Sequence, residues 1–338
     1  MLKLIEASGS PFQIGQALGR FGAEAAHSYL IHSASWDSVM AWRGTAAAQA
    51  MATLTERYFP EIRQEILGLA DGLQLPPDDV FLWNCRGDVW SMAPDGCTTV
   101  QLPLPDGPRI THNEDGDPGF HGHCGIGLLA PDAEPRFASF LYPASIPGHT
   151  FAVNQAGLAM TVNNLRSRQV AVGLPRMVLT RALLKQSGLQ DAIGVLRAMS
   201  RAGGFHLSLA QRGRAELYSV EFNAMGVSAH TVQQAALHAN HVIHAGMAGF
   251  PQVVTESSQH RQQRGDVMLD GQHTDPLAIL ADQSDGEFPI YRDAPDDSDM
   301  ENTMATADIR VGRDRVEWRV YAGPDRVLRF TLADAALA

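Results

Sequence analysis

Cysteine and long apolar runs are both scarce in this 338-residue sequence. Its three cysteines, Cys85, Cys97 and Cys124, are few and odd in number, which favours a reducing compartment over a disulfide framework. No stretch of about 20 apolar residues occurs, so no membrane span is expected. Residues 1–6 contain no apolar run of signal-peptide length. We therefore expect a cytoplasmic protein without a membrane partner.

Basic residues are outnumbered by acidic ones. The chain has 26 Lys and Arg against 37 Asp and Glu, a formal net charge of −11. An acidic surface repels phosphates, so no nucleic-acid partner is expected. Hydrophobic residues make up 45% of the sequence, which is enough for a substantial core in one large domain or two ordinary ones.

Several catalytic motifs are missing as well. The sequence contains no His-Glu-x-x-His, no paired Cys-x-x-Cys, no Gly-x-Ser-x-Gly and no phosphate-binding P-loop. Residues 125–130 match the glycine pattern of a dinucleotide-binding turn. That pattern must open a helix, and Pro131 and Pro135 prevent one here. A bound nucleotide cofactor is therefore not expected.

Histidine is more plentiful, with 13 residues. Two groups have ligand-like spacing, His121 with His123, and His238 with His241 and His244. Imidazole is a common metal ligand, so a metal-dependent hydrolase remains an alternative function of a different class. Our preferred interpretation places these histidines at the surface or behind the site and expects no metal.

The pattern of apolar residues changes near residue 95. Residues 11–92 are predicted to be mostly helical, with helix starts at Pro11 and Pro76. Beyond this point, strands and further helices alternate. Strands are predicted at residues 97–102, 109–113, 137–142, 150–154, 157–163, 206–210, 216–221, 303–311, 315–321 and 326–332, with helices at 177–201 (split near Gly188), 258–269 and 276–281. This order predicts a layered α+β domain.

Cys97 opens the first of these strands, directly after Gly96. Glycine has no Cβ, so its carbonyl can be approached closely. A two-residue hairpin loop at residues 106–107 would place Cys97 opposite Gly116 and bring Asp115 to within one residue of the thiol. Cys85 and Cys124 have no comparable setting and are interpreted as structural.

A family resemblance appears at the same place. Residues 95–99 (Asp-Gly-Cys-Thr-Thr), followed by residues 112–115 (His-Asn-Glu-Asp), resemble the processing site of the penicillin acyltransferase family. Segments 9–15, 61–72, 157–165, 238–241 and 261–271 match the same family in order.

The resemblance implies a four-layer αββα N-terminal-nucleophile hydrolase fold. It also implies self-cleavage between Gly96 and Cys97, giving a mainly helical segment 1–96 and a segment 97–338. The two would remain associated in one domain, with a higher oligomer left open. Cys97 would be the nucleophile, Asp115 the nearby carboxylate and Asn240 the oxyanion donor. The supporting or substrate-binding residues would be Thr98, Thr99, Asn113, Asn163 and Asn164.

The chemistry of cysteine suits such a role. A thiol that attacks the preceding carbonyl converts the amide to a thioester, and its hydrolysis frees an α-amine with a reference pKa of about 8. That amine can then accept the thiol proton. We therefore predict an amide hydrolase or acyltransferase acting on a small-molecule amide, with no cofactor and with acyl-CoA left open as a co-substrate. A catalytically inactive ligand-binding relative is a further alternative.

One position departs from the family. Its Ser-Arg pair near the C-terminus would fall at Asp299-Met300, inside an acidic segment, residues 293–301, that contains no base. We expect this segment to disfavour a substrate carboxylate on the amine side, unless Arg166 or Arg168 pairs with it.

Overall fold

The architecture was derived from a computed structural model that describes residues 2–90, 92, 96–168, 171–271, 275–297, 299–323 and 325–337. Its helices are α1 (Pro11–Ser28), α2 (Ala34–Met40), α3 (Ala46–Tyr58), α4 (Pro60–Leu73), α5 (Pro77–Trp83), α6 (Arg86–Val89), α7 (Arg176–Leu183), α8 (Leu189–Ala198), α9 (Glu256–Asp270) and α10 (Pro276–Ile279). Its strands are β1 (Lys3–Gly9), β2 (Gly96–Leu104), β3 (Gly107–Gly116), β4 (Gly125–Pro131), β5 (Phe137–Leu141), β6 (Phe151–Asn154), β7 (Leu158–Leu165), β8 (Gly204–Gln211), β9 (Leu217–Phe222), β10 (Val227–Thr231), β11 (Ala236–His238), β12 (Asn302–Val311), β13 (Val316–Ala322) and β14 (Val327–Ala333).

The strands form two sheets. The larger has the order β1-β4-β5-β6-β7-β8-β9-β10, and the smaller has the order β11-β2-β3-β12-β13-β14. Only β1 and β4 run parallel among the described strand pairs. Hydrogen bonds from Thr99 to Asn163 (2.7 Å) and from Gln101 to Ser208 (2.8 Å) join the facing sheets.

Helices cover both outer faces. Helix α1 packs on β1 and β4, and α7 places the Arg181 guanidinium over the Phe137 ring of β5. On the smaller sheet, α9 and α10 cover an apolar cluster that includes Val100, Leu237 and Ile279. The protein therefore has the four-layer αββα architecture that the sequence predicted.

Helices α1 and α4 cross unusually closely. A Cβ atom on Gly15 would lie 1.8 Å from the Glu65 carbonyl oxygen, and one on Gly68 would lie 1.9 Å from the Phe12 carbonyl oxygen. Real Cβ atoms do not approach backbone so closely, so glycine is required at both positions. Helices α1 and α4 therefore pack with their backbones in direct contact.

The sequence predictions hold for most elements but miss four strands, β1, β4, β10 and β11. Residues 177–201 form two helices separated at Gly188, as predicted. Residues 125–131 form strand β4 instead of a dinucleotide-binding turn, which agrees with that exclusion. Strand β1 was missed because the first residues were considered only as a targeting segment. Across the described residues, no helix combines the length and the apolar character needed to cross a membrane.

Candidate active site

The register of the β2–β3 hairpin differs from the prediction by two residues. The loop consists of Pro105 and Asp106, and Gly107 already belongs to β3. Proline at the second position and glycine at the fourth are the preferences of a type I turn. Cys97 therefore pairs with Glu114, and Asp115 pairs with Gly96. The expected pairing of Cys97 with Gly116 is wrong.

This register decides which carboxylate faces the thiol. Directly paired residues share a face of the sheet, whereas their neighbours point to the other face. Cys97 Sγ lies 3.8 Å from Glu114 Oε2, which in turn lies 3.1 Å from His112 Nε2. All three residues are buried, and burial lowers the pKa of His112 to about 3. Glu114, which was not among the predicted site residues, is the carboxylate beside the Cys97 thiol.

Asp115 lies on the opposite face, with Thr98 and Asn113. Its Oδ1 accepts a hydrogen bond from Thr303 Oγ1 at 2.7 Å, whereas its buried Oδ2 has no hydrogen-bond partner among the described residues. Burial raises the pKa of Asp115, and nearby Arg261 opposes this shift. The prediction that Asp115 lies beside the thiol is therefore wrong, because strand alternation points its side chain towards α9.

Asn113 performs a structural task on that face. Its amide donates to the Leu280 carbonyl oxygen at 2.8 Å and accepts from Thr306 Oγ1 at 2.6 Å. These bonds tie β3 to β12 and to the end of α10. Through these bonds, Asn113 supports the β2–β3 hairpin.

Asn240 contacts Cys97 through its side-chain oxygen. Its Oδ1 accepts from the Cys97 backbone N–H at 3.0 Å and from Arg261 Nη2 at 2.7 Å, and its Nδ2 donates to the Asn164 carbonyl oxygen at 3.2 Å. A guanidinium has no acceptor, so Arg261 determines which end of the amide faces Cys97.

Arg261 also forms hydrogen bonds to strand β2. It donates from Nη1 to the Cys97 carbonyl oxygen at 2.7 Å and to Thr98 Oγ1 at 2.8 Å. Burial, followed by the charge of Arg292, lowers the pKa of Arg261. In the sequence, Arg261 is only part of a family match. Helix α9 is polar and its apolar residues show little helical periodicity, so the burial of Arg261 could not be predicted.

The acidic segment 293–301 is mostly exposed, but its last residue, Glu301, is buried, and arginines pair with Asp297 and Glu301. Arg292, one residue before it, donates to Asp297 Oδ2 at 2.9 Å and to Glu301 Oε2 at 3.1 Å. Arg166 donates to Glu301 Oε1 at 3.2 Å. Burial raises the pKa of Glu301 to about 7, against the pull of these arginines. A neighbouring arginine and a distant one therefore pair with the carboxylates of Asp297 and Glu301.

Glu301 also explains why residue 96 is glycine. A Cβ on Gly96 would lie 2.1 Å from Glu301 Oε2 and 3.2 Å from the Asp115 Cβ. The carboxylate thus packs against the residue before the nucleophile. The missing Cβ makes room for an ion-pair network at the bond that the sequence predicts to be cut.

The two asparagines predicted to line the site have different positions. Asn163 joins the sheets, accepting from Thr99 Oγ1 at 2.7 Å and donating to the His238 carbonyl oxygen at 3.0 Å. Asn164 meets the site through its backbone carbonyl, which holds Asn240. Thr99 also contacts His112 Nδ1 at 2.8 Å, which connects the inter-sheet hydrogen bonds to the thiol-facing side of the hairpin.

The histidine groups of the alternative function do not converge on one point. His238 Nε2 contacts Glu221 at 2.9 Å, His241 Nδ1 contacts Ser258 at 2.8 Å, and His244 Nε2 contacts Ser219 at 3.0 Å. Among the described residues, the group with closely spaced ligand atoms is instead Cys97, His112 and Glu114. The predicted histidine clusters therefore act as hydrogen-bonding groups.

The two other cysteines match their structural interpretation. Both are buried, and burial raises the pKa of the Cys85 and Cys124 thiols well above the ordinary range. A buried thiol in an apolar setting is a poor nucleophile.

Residues 104–325 match the family model for acyl-coenzyme A:6-aminopenicillanic acid acyl-transferase. The chain belongs to this family. The matched range begins after Cys97, the predicted nucleophile.

Similar proteins include a curated relative and a solved structure. The chain is 27% identical over 160 residues to a beta-alanyl-dopamine/carcinine hydrolase of Drosophila melanogaster, and the match spans 41% of each protein. A crystal structure of a mutant conjugated bile acid hydrolase from Clostridium perfringens is similar with a TM-score of 0.44 and 11% identity. That similarity covers 70% of this chain and 91% of the other.

Proposed function

We propose that the protein is a self-processing cysteine amide hydrolase that cuts its own Gly96–Cys97 bond and then uses Cys97 on a small-molecule amide. The observation that carries the proposal is the double anchoring of Cys97. Its backbone N–H is held by Asn240 and its carbonyl by Arg261. The backbone of an ordinary buried strand residue pairs with neighbouring strands, whereas here two buried side chains hold these groups, and such contacts would fix the backbone of a peptide that is to be cut.

In the precursor, Cys97 Sγ attacks the Gly96 carbonyl carbon. The thiol proton leaves, the Gly96–Cys97 C–N bond breaks, and the nitrogen takes up a proton to become an amine. Water then cleaves the resulting thioester, giving a Gly96 carboxylate and restoring the thiol. The product is two chains, residues 1–96 and 97–338.

In the cut enzyme, the new α-amine of Cys97 serves as the base for its own thiol. Asn240 Oδ1 already accepts from this nitrogen in the uncut chain, so it holds the amine in place after the cut. Its Nδ2 carries two hydrogens, one donated to Asn164, and the other is our candidate oxyanion donor. Such a donor contributes about 3–4 kcal/mol to transition-state stabilisation.

Asp115 acts through Arg261 in this scheme. It lies on the α9 face of the hairpin, where its charge favours the buried guanidinium. Arg261 in turn sets the orientation of Asn240. Asp115 is therefore a positioning residue, and the thiol itself is flanked by Glu114.

A small-molecule N-acyl amine is the proposed substrate. The named activity of the Drosophila relative, on beta-alanyl-dopamine and carcinine, makes β-alanyl amides the first compounds to try. Transfer to an amine from acyl-CoA is the second reaction to assay.

The test is an intact-mass measurement on the purified chain, followed by an amide assay. Fragments of about 10 and 26 kDa are expected from the 36.6 kDa chain, and the larger should begin at Cys97. Cys97→Ala should stay uncut and inactive, while Cys85→Ala, which removes a buried thiol of the helical segment, should behave as wild type. Activity should survive chelators and be lost on thiol alkylation. A homogeneous, active 338-residue chain would refute self-processing.

A further inference from the structure

The thiol-facing side of the hairpin holds three ligand atoms for a soft divalent metal. Cys97 Sγ, His112 Nε2 and a Glu114 carboxylate oxygen all lie within 4.8 Å of one another, and all three residues are buried. We propose that this triplet is an inhibitory site for Zn²⁺ or a similar transition-metal ion, which caps the nucleophile and holds the precursor uncut. The proposal rests on the proposed function, because it assigns a regulatory ligand to the same thiol.

Hydrogen bonds behind His112 determine which of its nitrogens faces the site. Asn163 donates from Nδ2 to the His238 carbonyl, an acceptor only, so its Oδ1 must face Thr99. Thr99 therefore donates its single hydroxyl proton to Asn163 Oδ1 and accepts a hydrogen bond from His112 Nδ1–H. A neutral His112 then presents the bare lone pair of Nε2 towards Glu114.

This tautomer is the one that metal-binding histidines adopt. A ligating imidazole donates its other N–H to a polar partner, which orients the ring. Here the Thr99 hydroxyl is that partner, and its own hydrogen bond to Asn163 holds it in place. Nε2 and Glu114 Oε2, 3.1 Å apart, are otherwise two acceptors, and their contact needs a cation between them, either a proton or a metal ion.

The spacing fits zinc with small shifts. Zinc bonds of about 2.3 Å to sulfur and about 2.0 Å to nitrogen or oxygen, in tetrahedral geometry, place sulfur and oxygen about 3.5 Å apart and nitrogen and oxygen about 3.3 Å apart. The observed separations are 3.8 Å for Cys97 Sγ to Glu114 Oε2 and 3.1 Å for Glu114 Oε2 to His112 Nε2. Movements of a few tenths of an ångström would suffice, and the paired strands preset the arrangement.

Binding exchanges protons for the metal without any redox change. The ion forms bonds to sulfur, nitrogen and oxygen, and it releases the thiol proton and the proton shared by His112 and Glu114. The sulfur lone pair that would attack the Gly96 carbonyl is then occupied. A metal bound here therefore blocks both self-cleavage and turnover, which is the reverse of the effect expected in a metal-dependent hydrolase.

Cobalt absorption tests binding independently of activity. Titrating the full chain with Co²⁺ should produce a thiolate-to-cobalt charge-transfer band that saturates at one equivalent. The band should disappear in Cys97→Ala, persist in Cys85→Ala, and require at least tenfold more cobalt in Glu114→Gln. If melting curves show that Glu114→Gln is misfolded, Glu114→Asp replaces it and should also bind more weakly. No band, an unchanged affinity in the folded Glu114 variant, or a band that survives in Cys97→Ala would each overturn the proposal.

The second readout is processing. Zn²⁺ in slight excess should slow self-cleavage of the wild-type chain at least tenfold, EDTA should restore it, and Mg²⁺, which prefers oxygen ligands, should have no effect. Acceleration by Zn²⁺ would refute the inhibitory role. A chain that never cleaves would refute the proposed function, while the cobalt titration would still decide the metal site.

Discussion

Arg261→Lys is the sharpest test of the proposed active site. The Arg261 guanidinium holds three acceptors at once: the Cys97 carbonyl oxygen, Thr98 Oγ1 and Asn240 Oδ1, at 2.7, 2.8 and 2.7 Å. Lysine keeps the charge, but its compact ammonium lacks the planar fork that spans them. The substitution therefore separates the geometric role of Arg261 from its electrostatic role.

The expected loss can be worked out from these contacts. A hydrogen bond from a charged donor contributes about 1.5–3 kcal/mol, and the bond to Asn240 is the one that orients the amide at the nucleophile. Losing that orientation in the transition state should raise the barrier by about 2.7 kcal/mol, a rate decrease of about 100-fold. We expect this decrease both for self-cleavage and for kcat/KM of the cut enzyme.

Arg264→Lys is the matched control. Arg264 lies on the same helix, α9, but its side chain is 39% exposed and pairs with Asp282 at 2.8 Å. We expect it to process and turn over within about twofold of wild type, since a surface ion pair contributes little. Cleavage is followed by intact mass over time, and melting curves confirm that each variant is folded. If folded Arg261→Lys cleaves at the wild-type rate, Arg261 does not position the nucleophile.

Three further outcomes are expected. Gly68→Ala should lower the free energy of unfolding by about 2–3 kcal/mol, because its Cβ would lie 1.9 Å from a backbone carbonyl. Gly194→Ala, at a helical glycine with nothing within 4 Å, should instead stabilise by up to about 1 kcal/mol, and equal effects would contradict the close crossing. Burial raises the pKa of Glu301 from 4.5 to about 7, so the protonated side chain contributes stability that is present below pH 4.5 and is lost as the pH rises towards 7. The free energy of unfolding of wild type, measured in urea relative to Glu301→Gln, should therefore fall over this window by on the order of 3 kcal/mol. A difference that rises with pH would contradict this prediction. Asp115→Asn, which keeps the Thr303 hydrogen bond but removes the charge facing Arg261, should slow self-cleavage about tenfold, and a loss as large as that of Cys97→Ala would make Asp115 a direct participant.

Local patterns in the sequence predicted most of the elements, the layers and the position of Cys97. Strands such as residues 206–210 and helices such as 258–269 show their periodicity within a few residues of chain. The hairpin register was missed because both Pro105-Asp106 and Asp106-Gly107 can form a two-residue loop. The choice moves the partner of Cys97 by two positions and exchanges the expected Gly116 for Glu114.

Two buried contacts could not be predicted because their members are far apart in the chain. Arg166 reaches Glu301 across 135 residues and Arg261 reaches the Cys97 carbonyl across 164. Counted along the sequence, the segment 293–301 is an uncompensated acidic run. In the folded protein, Glu301 lies between Arg166 and Arg292.

Strand β1 determines how a chain cut after Gly96 would hold together. It pairs with β4 along residues 3–9 and 125–131, so one edge of the larger sheet would belong to the segment 1–96 and the rest to the segment 97–338. A cut chain would have become a two-component complex, whose reassembly after denaturation is bimolecular and depends on dilution. The precursor can refold as one chain. The mature enzyme would instead be kept together by slow unfolding, so its working lifetime would be kinetic in origin.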